Sequence, residues 1–524
     1  MLILTLIVLA QSPTPMHCGT SVFEALKRST PVAMPQSRKN PEPMALGESR
    51  LMWLQNMSVM PPQQYQAQMT CRALGEHVYV MVDDSSWDAG LVDSADVWRI
   101  AERFDRSSPR DSTRGVWQHN TSVLGQPPDA IDNDSLIYLL YYNVGEFHGY
   151  LFDGFWQYFD EYYDTTAMRV WGYHSNEVEC VYLDLAPNNP SQDYRVAIAA
   201  HEFSHMIHWN YDRSESLWVN EGCAELAMWL FGSPDPISQF NSNPDNDLTS
   251  WGGEWADYIK TYLFFLYLYE QHGGRVGTEL IHNIVASPFV SIEGIDSAFA
   301  VTGLTPRFED LLDDWVLANI INDTSYLDGR YGYFGERVPR FAAAYHGTYP
   351  VSRTASLNRW AGEYLLFQRG RGLELTFDGN DAGDFRLYIV GKDSLHHRLL
   401  FDSVPLDPQQ SGAVSVPNSD TGYQSVWLAP VSHYPYGSMG YSYGATASGI
   451  EERPWTTTDR RRDATHVRAG AVLSVAGGCR VFDSEGRLVA TGTGQLATAG
   501  LSTGAYWLEG PAGAAQPQHL IIVR

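Results

Sequence analysis

A short pattern of histidine and glutamate is the part of the chain best suited to chemistry. His201, Glu202 and His205 belong to the sequence HEFSH. Side chains four residues apart share one face of a helix, so the two imidazoles can bind one metal ion. Glu202 stands beside the first imidazole, where its carboxylate can reach a water molecule on that ion. The pattern predicts a zinc site that activates water, with Glu202 as the general base.

A second segment offers the remaining ligand. Catalytic zinc commonly takes two histidines and one glutamate and keeps a fourth position open. The segment WVNEGCAELA at 218–227 follows a polar loop at 210–216, so its Glu221 can return across the first helix. Glu225, one turn later, is expected to accept a hydrogen bond from the outer nitrogen of a zinc-bound histidine. Glu215 is the rival ligand, and each of these glutamates taken alone also fits a surface carboxylate.

His208 is a further histidine on the same helix. The alternative zinc pattern HExxHxxGxxH requires glycine at position 208 and histidine at position 211, where this chain has His208 and Tyr211. That pattern is therefore excluded. We expect His208 to be a pocket or core residue.

Periodicity places these residues on helices. Apolar residues recur at helical spacing over 193–209, and Pro190 and Asp193 mark its start. A second helix is expected over 221–230 and a third over 256–271. Burying two histidines and a glutamate on an apolar helix is costly unless they have a partner, which favours a metal.

The two segments resemble the gluzincin metallopeptidases, and most closely the hyicolysin-like family. The similarity covers about 76–344 and extends into DYIKTYLFFLYLYEQHGG at 257–274. It implies a zincin-like α+β catalytic domain in which Glu221 is the third zinc ligand. It also implies that Tyr258 donates its phenol to the oxyanion, with Tyr262 as the second choice. Both tyrosines also fit an aromatic helical core.

Composition limits the classes of partner. The 524 residues include 35 Lys and Arg against 61 Asp and Glu, a net charge of -26, which argues against nucleic acid and anionic membranes. The length predicts several domains. Five scattered cysteines form no framework, although Cys18 and Cys71 would be a candidate pair in an exported protein. A latent form in which Cys18 binds the zinc is conceivable, but no neighbouring sequence feature supports it.

The N-terminal region has two expected parts. Residues 1–15 contain the apolar run MLILTLIVLA, which is typical of a signal peptide although no basic residue precedes it. Residues 16–74 are rich in Pro, Met, Gln and Ser and are expected to form an arm or propeptide. The sequence predicts no transmembrane span.

The metallopeptidase domain is expected at 75–345 and is predicted to be α+β. Its expected strands are 77–82, 136–142 and 179–185, the last being the edge strand that lines the cleft. Further helices are expected over 95–104, 278–286 and 308–321.

The C-terminal part of the chain is predicted to be β structure. Short alternating runs predict a β-sandwich at 351–449, followed by a polar linker at 450–465. Within the sandwich, a turn containing Asp378, Asn380, Asp381 and Asp384 fits a calcium site or, as the favoured interpretation, a solvated turn. A hairpin is predicted over CRVFDSEGRLV at 479–489, with its turn at 484–486, and LSTGAYWL at 501–508 and the terminal HLIIVR at 519–524 add strands. With these segments, residues 466–524 resemble the C-terminal sorting domain of the type IX secretion system. A generic terminal Ig-like module is the alternative.

These features together predict a secreted or cell-surface zinc metalloendopeptidase that crosses an outer membrane. Its expected partners are a protein or peptide substrate and, through the C-terminal domain, the secretion machinery. A non-catalytic adhesion protein carrying a peptidase-like domain is one alternative. An aminopeptidase is another, but the sequence shows no acidic anchor for a substrate amine.

Overall fold

The structure of the protein, a computed structural model, describes most of the chain. The described residues are 16–24, 32, 43–148, 150–237, 244–339, 342–393, 398–419, 422–450, 465–468, 472–482, 488–497, 504–509 and 518–523. The expected signal peptide at 1–15 lies outside them. The chain divides into two compact units, 1–449 and 450–524. The mixed α and β content and the several sheets confirm the coarse prediction of a multidomain α+β protein.

The first unit contains eleven described α-helices and eighteen described strands. Its strands up to the active-site helix are β1 Met16–Cys18, β2 Ser49–Asn56, β3 Gln63–Leu74, β4 Val78–Asp83, β5 Ile137–Tyr142, β6 Glu146–Phe147, β7 Tyr150–Phe155 and β8 Cys180–Asp184. Its helices are α1 Thr20–Glu24, α2 Asp84–Asp88, α3 Ser94–Asp105, α4 Val116–Val123, α5 Asp164–Val170, α6 Asp193–Tyr211, α7 Leu217–Phe231, α8 Trp255–Gln271, α9 Leu280–Val285, α10 Ser291–Thr302 and α11 Phe308–Ile321.

The first eight strands form one sheet in the order β1-β7-β8-β5-β4-β3-β2, with β6 on β7. The central strands β4, β5 and β8 run parallel, and β7 runs antiparallel to β8. The central strand β5 is buried along its whole length, which explains its continuous apolar sequence IYLLYY. The sheet is thus a mixed one that carries helices against its buried strands.

Two strand expectations differ from the structure. Residues 179–185 were expected to form the edge strand, and this is wrong because β8 lies between β7 and β5. The strand outside it, β7, has a short sequence with polar and glycine residues, YLFDGF, that shows no clear alternation. Where an arm is expected over 16–74, the structure has β1, β2 and β3 built into the sheet. The alternation of apolar and polar residues is weak in these strands, because much of β2 and the first half of β3 is exposed to solvent.

The helices agree closely with their predicted bounds. The helix predicted over 193–209 is α6 and continues to Tyr211, and the helix predicted over 308–321 is α11. The helix predicted over 221–230 begins four residues earlier, so that Glu221 lies inside α7. Its C-terminus is fixed by Gly232, whose φ of 105° is the left-handed conformation that glycine adopts readily.

Two sheets between 344 and 450 share one hydrophobic core. Their strands are β9 Ala344–His346, β10 Val351–Leu357, β11 Ala361–Gly362, β12 Leu365–Phe367, β13 Gly370–Gly379, β14 Phe385–Asp393, β15 Arg398–Ser403, β16 Ser411–Val416, β17 Ser425–Ser432 and β18 Met439–Ile450. The sheet β10-β18-β13-β16 faces the sheet β15-β14-β17-β12-β9, and residues such as Phe377 and Leu428 meet between them. This is the arrangement of a β-sandwich.

The second unit is a five-stranded sheet. Its strands are β19 Thr465–Arg468, β20 Val472–Phe482, β21 Leu488–Ala497, β22 Gly504–Glu509 and β23 Gln518–Val523, in the order β19-β23-β22-β20-β21. The antiparallel pair β20 and β21 provides the two strands of the expected hairpin, whose turn lies outside the described residues. Nearly all of the expected linker at 450–465 also lies outside them. Across the described part of the chain, none of the helices has the length and hydropathy needed to cross a membrane.

Candidate metal centre

Helix α6 is fixed against the edge of the sheet by both polar and close apolar contacts. Buried Arg195 pairs with Asp153 of β7 and donates to the carbonyl of Asp184. Two turns later, Glu202 packs on Gly154 of β7, where an added Cβ would stand 3.1 Å from the Glu202 Cγ. The absence of a side chain at Gly154 therefore lets the general-base candidate approach the strand closely.

Helix α7 brings Glu221 to the two histidines. The Glu221 Oε2 lies 3.2 Å from Nε2 of His201 and 3.8 Å from Nε2 of His205. The ring centroids of the two imidazoles are 4.9 Å apart, and the ring planes are nearly perpendicular. All three side chains are almost fully buried. The structure therefore brings together the three residues that the sequence suggests as metal ligands.

The other ring nitrogen of each histidine, Nδ1, also has a partner. Nδ1 of His201 lies 3.2 Å from Oε1 of Glu225, one turn after Glu221, as the sequence spacing predicts. Nδ1 of His205 contacts the amide oxygen of Asn220. Such partners orient an imidazole so that its remaining nitrogen can bind metal. The sequence pattern does not predict this role of Asn220, and its position next to Glu221 in the NEG sequence is the only signal of it.

A cysteine from the N-terminal strand completes the cluster. The Cys18 Sγ lies 3.3 Å from Nε2 of His205 and 3.5 Å from Oε2 of Glu202. Ligand atoms of Cys18, His201, His205 and Glu221 all lie within 4.8 Å of one another. The pairing of Cys18 with Cys71 considered from the sequence is wrong, because both are free thiols and the Cys71 Sγ donates to the Ala73 carbonyl.

Of the two tyrosines on α8, Tyr258 is nearer to the cluster. Its ring centroid lies 6.4 Å from that of His201, and the backbone of Cys18 forms a hydrogen bond with its hydroxyl. The hydroxyl of Tyr262 instead donates to Glu336 at 2.7 Å. Helices α7 and α8 pack closely because Gly222 has no side chain. A Cβ added at Gly222 would lie 2.3 Å from the Phe265 ring. The close packing places Tyr258 beside the histidines.

The rival ligands lie elsewhere. Glu215 is buried and accepts hydrogen bonds from the backbone and hydroxyl of Ser216 and from the backbone of Ser291. His208 is buried on α6 and does not belong to the cluster of ligand atoms among the described residues. In the turn at 378–384, for which a solvated turn was favoured over a calcium site, Asn380 accepts from the Ala382 backbone, and the described acidic residues there form no ligand group.

The donor set fits a divalent cation such as zinc. Nε2 of His201 and both carboxylate oxygens of Glu221 are buried and, by hydrogen-bond geometry, have no partner outside this cluster among the described residues. Buried polar atoms are rarely left in this state, and a bound cation would satisfy all three at once. Two imidazoles and one carboxylate are a common ligand set for zinc.

The electrostatics of the cluster point the same way. Burial, supported by the negative charge of Glu221 and opposed by His201, raises the pKa of Glu202 to about 8. Burial also raises the pKa of Cys18 well above its usual range, with Glu202 and Glu221 adding to the effect. Burial lowers the pKa of His201, but Cys18 and two glutamates outweigh this and raise it well above its usual range. Without a cation these groups therefore compete for protons, which a divalent ion would displace.

Comparisons with known proteins add little. No protein-family model and no curated protein matches the chain. A GH115 4-O-methyl-α-glucuronidase, BtGH115A, is similar at 10% identity over 62% of this chain, with a TM-score of 0.13, and the chain spans 53% of its length. The Bacillus licheniformis lipase BlEst2 in propeptide form is 12% identical over 75% of this chain and 92% of its own, with a TM-score of 0.15.

The IMPa metallopeptidase in complex with T-antigen is a third structure of this kind, and the enzyme comes from Pseudomonas aeruginosa. It is 13% identical over 77% of this chain and 49% of its own, with a TM-score of 0.13. At these TM-scores none of the three similarities bears on the fold or the activity of this chain.

Proposed function

We propose that the protein is a zinc-dependent metalloendopeptidase that hydrolyses internal peptide bonds of a protein or peptide substrate. The observation that carries the proposal is the convergence of His201, His205 and Glu221 on one buried position beside Glu202. The catalytic part of the fold is then of the zincin type. The resemblance of 466–524 to a type IX sorting domain supports export through an outer membrane as part of the same proposal.

Zinc bound by these three side chains would polarise a substrate carbonyl and lower the pKa of water. Glu202 would take a proton from the attacking water and pass it to the leaving nitrogen. Tyr258 would donate its phenol to the oxygen that becomes negative as the carbonyl is attacked. Glu225 and Asn220 would hold the two imidazoles in orientation.

Strand β7, which would be the edge of the sheet without the short strand β1, supports a peptide substrate over a small ester or a sugar. The side of β7 that faces away from β8 pairs with the extended segment of β1, in the registers Met16 with Phe152 and Cys18 with Gly154. Extended polypeptide is the ligand that a sheet edge recognises, because main-chain groups supply the hydrogen bonds. A substrate on the same edge would lie next to the base.

The first experiment separates metal binding from catalysis. Glu202→Gln should retain about one zinc per chain and lose 10²–10⁴-fold in turnover of a casein-type substrate. Glu221→Ala should lose the zinc, whereas the matched variant Glu215→Ala should keep it because Glu215 binds Ser216 and Ser291 instead. Full turnover by Glu202→Gln, or zinc retained by Glu221→Ala, would refute the assignment.

The second experiment tests the oxyanion donor. Tyr258→Phe should lower kcat by about 10²–10³-fold with little change in zinc content. Tyr262→Phe is the matched control, since it removes a hydroxyl bonded to Glu336 and should leave kcat nearly unchanged. Equal losses in the two variants would remove Tyr258 from the mechanism.

A further inference from the structure

The N-terminal strand occupies the edge on which a substrate would bind. Strand β1 pairs with β7 in parallel, and the backbone N–H of Gly19 donates to the Gly154 carbonyl at 2.8 Å. Cys18 and Thr20 are buried at this position. The same edge cannot pair with a second extended chain while β1 is in place.

Two side chains of this segment contact the catalytic machinery directly. Cys18 contributes its Sγ to the ligand cluster, 3.3 Å from Nε2 of His205. The Thr20 hydroxyl donates to Oε2 of Glu202 at 3.0 Å and accepts from the Trp156 backbone at 2.8 Å. The general-base candidate is thus hydrogen-bonded to the chain's own N-terminal segment.

We propose that Cys18 is a fourth metal ligand and that residues 16–20 hold the full-length chain in a latent form. The inference rests on the proposed function of His201, His205 and Glu221 as metal ligands. A cysteine thiolate is a strong zinc ligand, and a cation with four protein ligands has no position left for water.

The direction of β1 explains why the segment is not itself a substrate. Antiparallel pairing is the somewhat more stable arrangement for a peptide added to an edge strand, and a substrate of that kind would run opposite to β1. Strand β1, which runs parallel to β7, presents its peptide bonds to Glu202 in the order opposite to that of an antiparallel substrate. It can therefore fill the cleft without offering a bond in the orientation for attack.

Cobalt substitution of the full-length chain tests the ligand assignment by spectroscopy. The Co²⁺ form of the unchanged protein should show a sulfur-to-metal charge-transfer band in the near ultraviolet, and Cys18→Ser should bind Co²⁺ without that band. Cys71→Ser is the matched control, since Cys71 is another buried free thiol and should leave the band intact.

The outcomes separate this inference from the proposed function. Co²⁺ binding without a thiolate band in the unchanged protein overturns the role of Cys18 and leaves the metal site standing. Failure of both the unchanged protein and Cys18→Ser to bind Co²⁺ overturns the metal site itself, and with it the inference.

Two further measurements test metal ligation and latency, and the first of them needs no variant. In the unchanged protein, a chelator should increase the rate at which an alkylating reagent modifies Cys18, and an unchanged rate contradicts metal ligation. Cys18→Ser should cleave a peptide library at least about tenfold faster than the unchanged chain, as expected if the segment fills the cleft nine-tenths of the time. Equal rates contradict latency.

A separate group of carboxylates supports a second, independent inference. Oxygen atoms of Asp129, Asp132 and Glu179 lie within 4.8 Å of one another. Glu179 is 1% exposed, and its carboxylate interacts with that of Asp132 inside the cluster, while neither of its oxygens has a hydrogen-bond partner outside the cluster among the described residues. Glu161, on a neighbouring turn of 3-10 helix, is equally buried and unpartnered, and its charge acts on Glu179.

We infer that this cluster binds a hard divalent cation, with calcium as the chemically preferred ion. Oxygen-only ligands of negative charge are what calcium selects, and Asp129 is exposed to solvent, which gives an ion access. The positive charge of Arg213, which lies over the Trp209 ring, acts on Glu161 and opposes the effect of burial on its pKa.

Thermal unfolding of the full-length chain tests this site. Calcium added after treatment with a calcium chelator should raise the Tm, and magnesium should raise it less. Glu179→Gln should lose the calcium response, whereas Glu215→Gln, which alters a buried carboxylate elsewhere, should keep it. Binding of no calcium by the unchanged protein in calorimetry, or an unaltered response in Glu179→Gln, would overturn the inference.

Discussion

The contact between Glu225 and His201 yields the prediction that can be quantified most directly. Oε1 of Glu225 lies 3.2 Å from Nδ1 of His201, and both side chains are almost completely buried. A buried hydrogen bond to a charged group contributes about 1.5–3 kcal/mol. Since about 1.4 kcal/mol corresponds to a tenfold change in affinity, losing this contact should weaken zinc binding by about 10–100-fold. The range agrees with the usual effect of removing a residue that orients a metal-binding histidine.

The expected loss of zinc affinity depends on which side chain replaces Glu225 or Asn220. Glu225→Gln keeps an acceptor oxygen and loses only the charge, so its effect should lie near the lower end of the range. Glu225→Ala removes the acceptor and should lie near the upper end. Asn220→Ala removes a neutral acceptor from His205, and a neutral hydrogen bond is about half as strong as a charged one, so its effect should be smaller than that of Glu225→Ala.

Competition with a chromophoric chelator measures these affinities. Glu215→Gln is the matched control, because it changes a buried carboxylate that contacts neither histidine. Zinc affinities of Glu225→Gln and Glu225→Ala that both stay within twofold of the unchanged protein would refute the reasoning. A loss of the same size in Glu215→Gln would show that the effect is one of general stability.

Three further predictions concern stability. Gly222→Ala should destabilise the fold by about 1–3 kcal/mol, because the new methyl group meets the Phe265 ring, and a smaller side chain at Phe265 should recover part of the loss in denaturant unfolding. Lys260→Met should cost about 3–5 kcal/mol in the same assay, since it leaves Asp257 buried without its cation; a cost below 1 kcal/mol would contradict this. Burial raises the pKa of Glu363 to about 7 from an ordinary value of 4.5, so its contribution to stability is complete below about pH 4.5 and is lost as the pH rises through 7. Glu363→Gln should therefore flatten the fall in stability between pH 4.5 and 8 by about 1–3 kcal/mol, and an unchanged pH profile would count against it.

Local patterns were sufficient to predict the helices that carry the candidate site. The spacing in HEFSH and the apolar periodicity around it predict α6, and the four-residue interval from Glu221 to Glu225 predicts that both face the histidines. These relations depend only on the geometry of one helix. The packing of α7 on α6 then follows from a five-residue loop that leaves few alternatives.

Other parts of the site depend on pairings between distant segments. Cys18 reaches the cluster only because β1 pairs with β7, more than 130 residues away, and three residues of extended chain carry no detectable period. The assignment of the edge strand failed for a related reason, since strand order is not encoded in the alternation of any one strand. The orientation of Asn220 towards His205 is only weakly indicated by its position next to Glu221, because asparagine commonly forms turns.

Strand β1 is part of the same chain as the cleft that it fills, and this covalent attachment sets the concentration of the segment at the cleft. A segment tethered to its own binding site is present there at an effective concentration on the order of millimolar, whatever the concentration of the protein. Even a contact too weak to hold a free peptide would then keep the cleft filled. Dilution of the intact chain should leave its activity per molecule unchanged, whereas a single cut between the segment and the sheet would allow dilution to release it.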